Sequence, residues 1–479
     1  VRASGKQVLR RLAAVLAVGA AALLGITGCG ALRPGPARPE VVAGLGPMPA
    51  SRWADEPVDV IDDNGGWCWF QGERALFVSP SRLLVGSTAS AAGAGGADRG
   101  GAVEVSTYDV ARRRVVGTDR LGGDYPADDH NAPGLVRLPD GTVVAAWTGH
   151  NADRAKRSAR LGATQATWAT NPPVVRPQRT SYSNLIRVAA ENGGRGRLYD
   201  FYRGERNAHN ALVSDDDGRT WRYVGPLVTN DGPLTPYVRY AVAGRRIHFI
   251  ASTGNPQQAP GTSVRSGYLE DGAIYSTAGR RLGSLATGGV RFDRLTPVDA
   301  GVGAPEGRDT DVWTADLVAG PDGPVAVLTV KHPRRPAVAG RSFTQEYRYA
   351  RWTGRSWAVS HVAWGGSELF AGQPSYSGNL VVDPADPSTV YLSSNVDPRT
   401  GAALASRADG RAHWELYDAH TTDGGVTWSF AAVTRDSTVD NLRPVAVAGF
   451  GRSALLWMRG TYPDFSRYDT AIVGAVRTR

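Results

Sequence analysis

Cysteine is almost absent from this chain, with only Cys29 and Cys68 among 479 residues. No Cys/His group has the spacing of a zinc site, and the two cysteines cannot build a disulfide framework. Lysine is nearly as rare, limited to Lys6, Lys156 and Lys331. No Lys/Arg block alternates with aromatic residues, so the chain carries no nucleic-acid footprint. Amphipathic helical periodicity is missing after the first 29 residues, which argues against helix bundles and alternating α/β folds. No composition break divides the long remainder.

The N-terminus reads as an export signal. Arg2, Lys6, Arg10 and Arg11 form a basic head, and Leu12 to Leu24 is an apolar run too short to span a bilayer comfortably. Ile26-Thr27-Gly28-Cys29 fits a lipobox, where a bacterial lipoprotein is cleaved before a cysteine that becomes lipidated. This assigns 1–28 to a lipoprotein signal peptide, 29–52 to a tether rich in Pro, Ala and Gly, and 53–479 to the folded domain. It also places the protein outside the cytoplasm, lipid-anchored to the bacterial cell membrane. Loss of the signal lowers the formal charge from +9 to +5 by removing its four basic residues. That residual excess suits an acidic polymer. Cys68, between Trp67 and Trp69, is then left without a disulfide partner and reads as a small buried residue.

Glycine and proline are what the chain has in quantity, 59 and 30 residues. They punctuate many short β-rich runs. Strand-turn-strand units recur: Leu135 to Ala145 is echoed by Leu317 to Val327, and Tyr182-Ser183-Asn184-Leu185 by Tyr376-Ser377-Gly378-Asn379-Leu380. Ser214 to Trp221 and Thr421 to Trp428 both match Ser/Thr-x-Asp-x-Gly-x-Thr-Trp. In this turn the Asp side chain can bond backbone N–H groups, while Gly supplies a positive φ. The motif resembles the Asp-box of sialidase-like propellers. An all-β, seven-bladed β-propeller is expected, with six blades as the alternative. The final strand, near Tyr468 to Val473, is expected to close the ring against 74–78.

Two consecutive hairpins bring chemistry to one rim. His130 precedes and His150 follows a hairpin that turns at Pro139-Asp140-Gly141. Tyr182 opens and Arg203 closes the next hairpin. Side by side, the hairpins would point His130, His150, Tyr182 and Arg203 at one cavity, a set suited to acid/base work.

Taken in order, Trp67 to Gln71, Asp129-His130-Asn131, Gly149-His150-Asn151, Tyr182 to Leu185, Phe201 to Gly204, Pro236 to Tyr240, Asp440 to Pro444 and Leu456 to Gly460 resemble the BNR-repeat propellers that include the ulvan lyases and related polysaccharide lyases. The resemblance implies β-elimination on uronate-containing polymers, with His130, His150, Tyr182 and Arg203 as catalytic residues. Arg203 would neutralise the substrate carboxylate. Tyr182, eased toward deprotonation by the nearby cation, would serve as base and acid. Tyr237, Asn131 and Asn151 would contact the sugar, with Tyr240 as the alternative to Tyr237. No cofactor or metal ligand set is implied, and whether a structural cation binds near Asp62-Asp63-Asn64 stays open. The basic start of 154–179 (Arg154, Lys156, Arg157, Arg160) reads as an anion clamp or a solvated loop. His209 reads as structural. The partners are an acidic polysaccharide and, through lipid, the membrane; a monomer is expected. A sialidase-like hydrolase drawing on Arg74, Arg203, Arg443 and Arg459, and a non-catalytic glycan-binding propeller, are the competing readings.

Changing Cys29 to Ser should release the protein from the membrane fraction of a bacterial host. Fractionation followed by immunoblotting measures this, and a wild-type protein already found soluble would refute the lipobox.

Overall fold

The computed structural model describes residues 47–479, apart from 73, 124, 259–260, 302–309, 333–343 and 371. The signal peptide, Cys29 and most of the tether lie outside the described residues. No helix among the described residues is long and apolar enough to cross a membrane.

The chain forms seven sheets in succession, 75–122, 134–175, 181–229, 237–299, 311–366, 380–432 and 440–478, here called blades 1 to 7; their strands pair antiparallel except that Val290–Arg291 adds to the outer edge of blade 3 in parallel. The first strand of each blade touches the first strand of the next, and that of blade 7 touches that of blade 1. This closed ring of first strands is a seven-bladed β-propeller; the six-bladed alternative falls.

The closing strand differs from expectation. The final strand, Arg467–Thr478, pairs with Asp59–Asp62, in the register Asp59↔Gly474 and Val60↔Val473. Ala75–Ser79 is instead the axial strand of blade 1, paired with Arg82–Thr88. The strand 59–62 is acidic at both ends, which hid its β character. Asp62 and Asp63 form no cation site of their own, because the Arg99 guanidinium bonds both carboxylates and Glu104. The end of the expected tether is also held: Ala432 donates its N–H to Pro49, and Ser51 its hydroxyl to Asp418.

Both Asp-box turns form as their sequence requires. Asp216 accepts from the backbone and hydroxyl of Thr220 at 2.9 and 2.6 Å, with Gly218 at φ +79°. Asp423 accepts from Thr427 in the same way, with Gly425 at φ +97°. Trp428 packs edge-on against Tyr349 of the preceding blade. These turns follow the third strand, at the end of the blades opposite Arg203 and the start of that strand.

The axis is filled by one irregular segment. The Trp67 indole donates to the carbonyl of Arg443, Trp69 to that of Ser377, and the Gln71 amide to that of His130. Phe70 stacks on Trp313 with centroids 3.8 Å apart and meets Tyr237 and Tyr376 edge-on. Trp69 is 2% exposed and Trp67 wholly buried. Trp69→Ala should lower the unfolding free energy by roughly 3–5 kcal/mol, measured by urea denaturation. A loss below about 1 kcal/mol would mean that the axis repacks without it.

Candidate active site

His130 sits in the single helical turn Asp129–Asn131 ahead of the first strand of blade 2, and Asp128 caps that turn by accepting from the His130 N–H. Gly134 pairs with Ala146 across the hairpin, so His150, just beyond the second strand, returns beside His130. The two imidazoles stack at 3.9 Å, 7° from parallel. One carboxylate holds both rings: Asp128 Oδ1 lies 2.6 Å from His130 Nδ1, and Asp128 Oδ2 lies 2.8 Å from His150 Nδ1.

Tyr182 and Arg203 come from blade 3, where Ser181 pairs with Arg203. A bulge between Ser181 and Asn184 puts Tyr182 at φ +67°, a conformation uncommon for a residue with a Cβ. Lys156 of blade 2 holds it there. Its ammonium donates to the Tyr182 carbonyl at 2.5 Å and pairs with Asp200 at 3.1 Å. Lys156 therefore belongs to no solvated loop or anion clamp. It lies in the strand Ala155–Leu161, 3% exposed. The Arg203 guanidinium lies over the Tyr182 ring, 4.9 Å from its centroid. It also reaches His150 Nε2 at 2.8 Å and the Tyr237 hydroxyl at 3.1 Å. All four hairpin residues thus meet in one place, at the end of the blades away from the Asp-boxes.

The contacts assign protons. Arginine only donates, so His150 Nε2 is an unprotonated acceptor and its Nδ1 carries the hydrogen shared with Asp128. Burial and the neighbouring His130 charge lower His150 to about 4, against the pull of Asp128. His130 goes the other way. Burial opposes its charge, but the Cys68 sulfur and the carboxylates of Asp128 and Asp129 together raise it well above the ordinary value. The pair is therefore one cation and one neutral ring. Tyr182 departs from expectation: burial pushes its phenol well above 10, Cys68 adds to the rise, and Arg203 offsets only part of it. The phenol keeps its proton, and its oxygen has no hydrogen-bond partner among the described residues.

Other assignments shift as well. Tyr237 meets Arg203, whereas Tyr240 bonds His209 Nδ1 at 3.0 Å. Asn131 is buried, its oxygen accepting from the His150 N–H at 2.6 Å and its nitrogen donating to Pro126. It braces the site and has no free face for a sugar. Asn151 is exposed beside His150, at φ +51°. Arg443 is 2% exposed and donates to the carbonyls of Cys68, Pro444 and Gln71, so it is not free for the carboxylate of a hydrolase substrate.

Several site residues were missed. Asp128 was legible only as a neighbour of His130. His209 pairs with Arg203 across the strands and its ring faces Tyr182 at 6.5 Å; the start of a third strand shares the rim with the end of the second, which was the available signal. Tyr376 closes an aromatic wall through Tyr182, Tyr237 and Trp313. Its sequence echo of Tyr182 pointed there. Phe465, at a hairpin tip of blade 7, stands edge-on to both imidazoles. Among the described residues, two sets of side chains lie close enough to hold a metal ion, Cys68 with Asp129 and His130, and Asp128 with His130 and His150, each with donor atoms within 4.8 Å of one another. They escaped sequence spacing because their ligands come from separate segments or share one residue.

This architecture and motif content have a family. The model of the BNR repeat-containing family matches residues 97–364, more than half the chain, and the protein belongs to that family. No curated protein matches the chain. Among solved structures, a PL25 ulvan lyase bound to -[GlcA(1-4)Rha3S]- superposes with a TM-score of 0.56 at 13% identity, covering 86% of this chain and 94% of its own. Polysaccharide lyase Uly1 gives a TM-score of 0.52 at 11% identity, covering 88% and 97%. At these identities the likeness is one of fold.

Lys156→Met should strand the Asp200 carboxylate in the interior and cost about 3–5 kcal/mol, read by urea unfolding. The double variant Lys156→Met/Asp200→Leu should recover part of that loss. A double variant as unstable as the single one would show that the pair does more than balance charge.

Proposed function

We propose that this protein is a polysaccharide lyase that cleaves uronate-containing polymers by β-elimination, held at the outer surface of the membrane by lipid on Cys29. The observation that carries the reading is the meeting of three groups: a half-buried guanidinium, an imidazole whose unprotonated Nε2 faces it, and a protonated phenol with no hydrogen-bond partner among the described residues. Each matches one demand of the reaction. The proton next to a carboxylate is a poor acid until the carboxylate is neutralised, which Arg203 does by turning its donors from His150 to the substrate. His150 Nε2, released from Arg203, takes the carbon-bound proton. The bond to the glycosidic oxygen breaks as the carbon–carbon double bond forms, and Tyr182 gives that oxygen its proton. Return of the proton from His150 to Tyr182 restores the resting state.

The His130 cation and Asp128 act through His150. Asp128 fixes its tautomer and steadies the positive charge that develops on it. A bound carboxylate adds negative charge beside His150 and raises its affinity for a proton from the low value of the free site. Tyr237 keeps Arg203 in place, and the aromatic wall excludes water.

An absorbance screen of uronate polymers tests the reaction class, since elimination leaves a conjugated double bond and hydrolysis does not. Arg203→Ala should lower turnover by about a hundredfold or more, and Tyr182→Phe should abolish it while leaving polymer binding intact. Because His150 takes up its proton at about 4 in the free protein, kcat/KM should fall as pH drops through that value. Cleavage without an absorbance change would replace the lyase reading with hydrolysis. Binding without cleavage would leave a glycan-binding propeller.

A further inference from the structure

Beside the loop that carries His150 lies a cavity of about 260 Å3, lined in part by Tyr125, Trp147, Arg157, Ser158, Asn171 and Pro173. Trp147 ends the strand that leads to His150. Tyr125 packs so closely on Gly149 that a Cβ there would stand 2.5 Å from its ring. The cavity and the histidine pair therefore share a wall. The strand Ala155–Leu161 serves both. Lys156 goes inward beneath Tyr182, and Arg157 goes to the cavity.

Arg157 is held ready in one orientation. Its guanidinium lies 5.2 Å from the centroid of the Tyr125 ring and pairs with Asp153 at 2.8 Å, while its side chain remains 34% exposed. Arg179 donates to the Asn151 carbonyl on the same loop. Asn171 spends both amide hydrogens on the Ser158 hydroxyl and the Gly218 carbonyl, which leaves its oxygen to accept from a ligand hydroxyl. A cation on an aromatic ring, a fixed amide and aromatic walls make a site for a polar ring that carries negative charge. The volume is below the roughly 300–1,000 Å3 of ordinary small-molecule sites, which suits one ring and not a chain.

We propose that this cavity is a subsite for one anionic sugar unit of the polymer, close to the unit held at Arg203, with Arg157 pairing with its carboxylate or sulfate group. The proposal rests on the lyase reading and adds a second point of charge recognition to it. It also accounts for part of the basic run 154–160.

The test is calorimetric binding of size-defined glucuronate-containing oligosaccharides to the full chain, using Tyr182→Phe as the uncleaving background. Arg157→Ala should weaken binding of oligosaccharides long enough to reach both points by about tenfold or more, and leave the affinity of the shortest fragments unchanged. Arg157→Lys should recover part of the loss. Arg246→Ala, on blade 4 and paired there with Glu270, should bind as the background does. Desulfated and carboxyl-reduced oligosaccharides identify the anion, because the effect of Arg157→Ala should vanish for whichever lacks the group it pairs with. Equal affinity of Arg157→Ala and the background for long oligosaccharides overturns the subsite and leaves the lyase reading standing. A uniform loss at every length also overturns it, since that marks damage to the main site. No binding or cleavage by the wild-type protein overturns both.

Discussion

The segment from Gly66 to Gly72 fills the axis of the ring, bonded or packed to side chains and backbone all round it. A propeller closes only if seven sheets, each twisted, meet a centre of the right width. Here that width is set by Trp67, Trp69 and Phe70, whose rings reach Tyr237, Trp313, Tyr376 and Tyr462, and whose indoles donate to Ser377 and Arg443; the flanking Gly66, Gln71 and Gly72 bond Thr88, His130 and Asn184. The same segment places Cys68 behind His130 and holds the His130 carbonyl through Gln71. The structural centre and the chemical centre are therefore one construction.

At that centre, charge is divided unequally between like groups. Asp128 bonds both imidazoles, yet burial permits only one of two stacked rings to carry a proton comfortably. His130, with Asp129 and Cys68 also beside it, takes the charge; His150, with Arg203 at its other nitrogen, does not. Two histidines of the same type thereby acquire different roles from their surroundings alone. Tyr182 illustrates the same competition, since desolvation of its phenol outweighs attraction by a cation 4.9 Å from its ring centroid.

The strand Ala155–Leu161 shows how few residues link the rim to its supports. Lys156 fixes the left-handed backbone of Tyr182 from below, while Arg157 faces the neighbouring cavity. A substitution at either position would act on the candidate site through a different physical route, one through backbone conformation and the other through charge at the surface.

Much of this was legible in the chain. Glycine and proline punctuation, two Asp-boxes and repeated strand-turn-strand units specify a propeller, because each is a local signal read over a few residues. Hairpin geometry also places His130 with His150 and Tyr182 with Arg203, since an antiparallel pair returns to its starting end whatever surrounds it. What the sequence could not decide is whatever depends on neighbours distant along the chain. The closing strand 59–62 is identified only by its partner, the final strand Arg467–Thr478 at the other end of the domain. The inward turn of Lys156, the bracing role of Asn131, the choice of Tyr237 over Tyr240 and the protonation of Tyr182 follow from burial and from side chains contributed by other blades. Local periodicity determines which strands form and where they turn; desolvation and partner charge, which set the chemistry, exist only once the ring is closed.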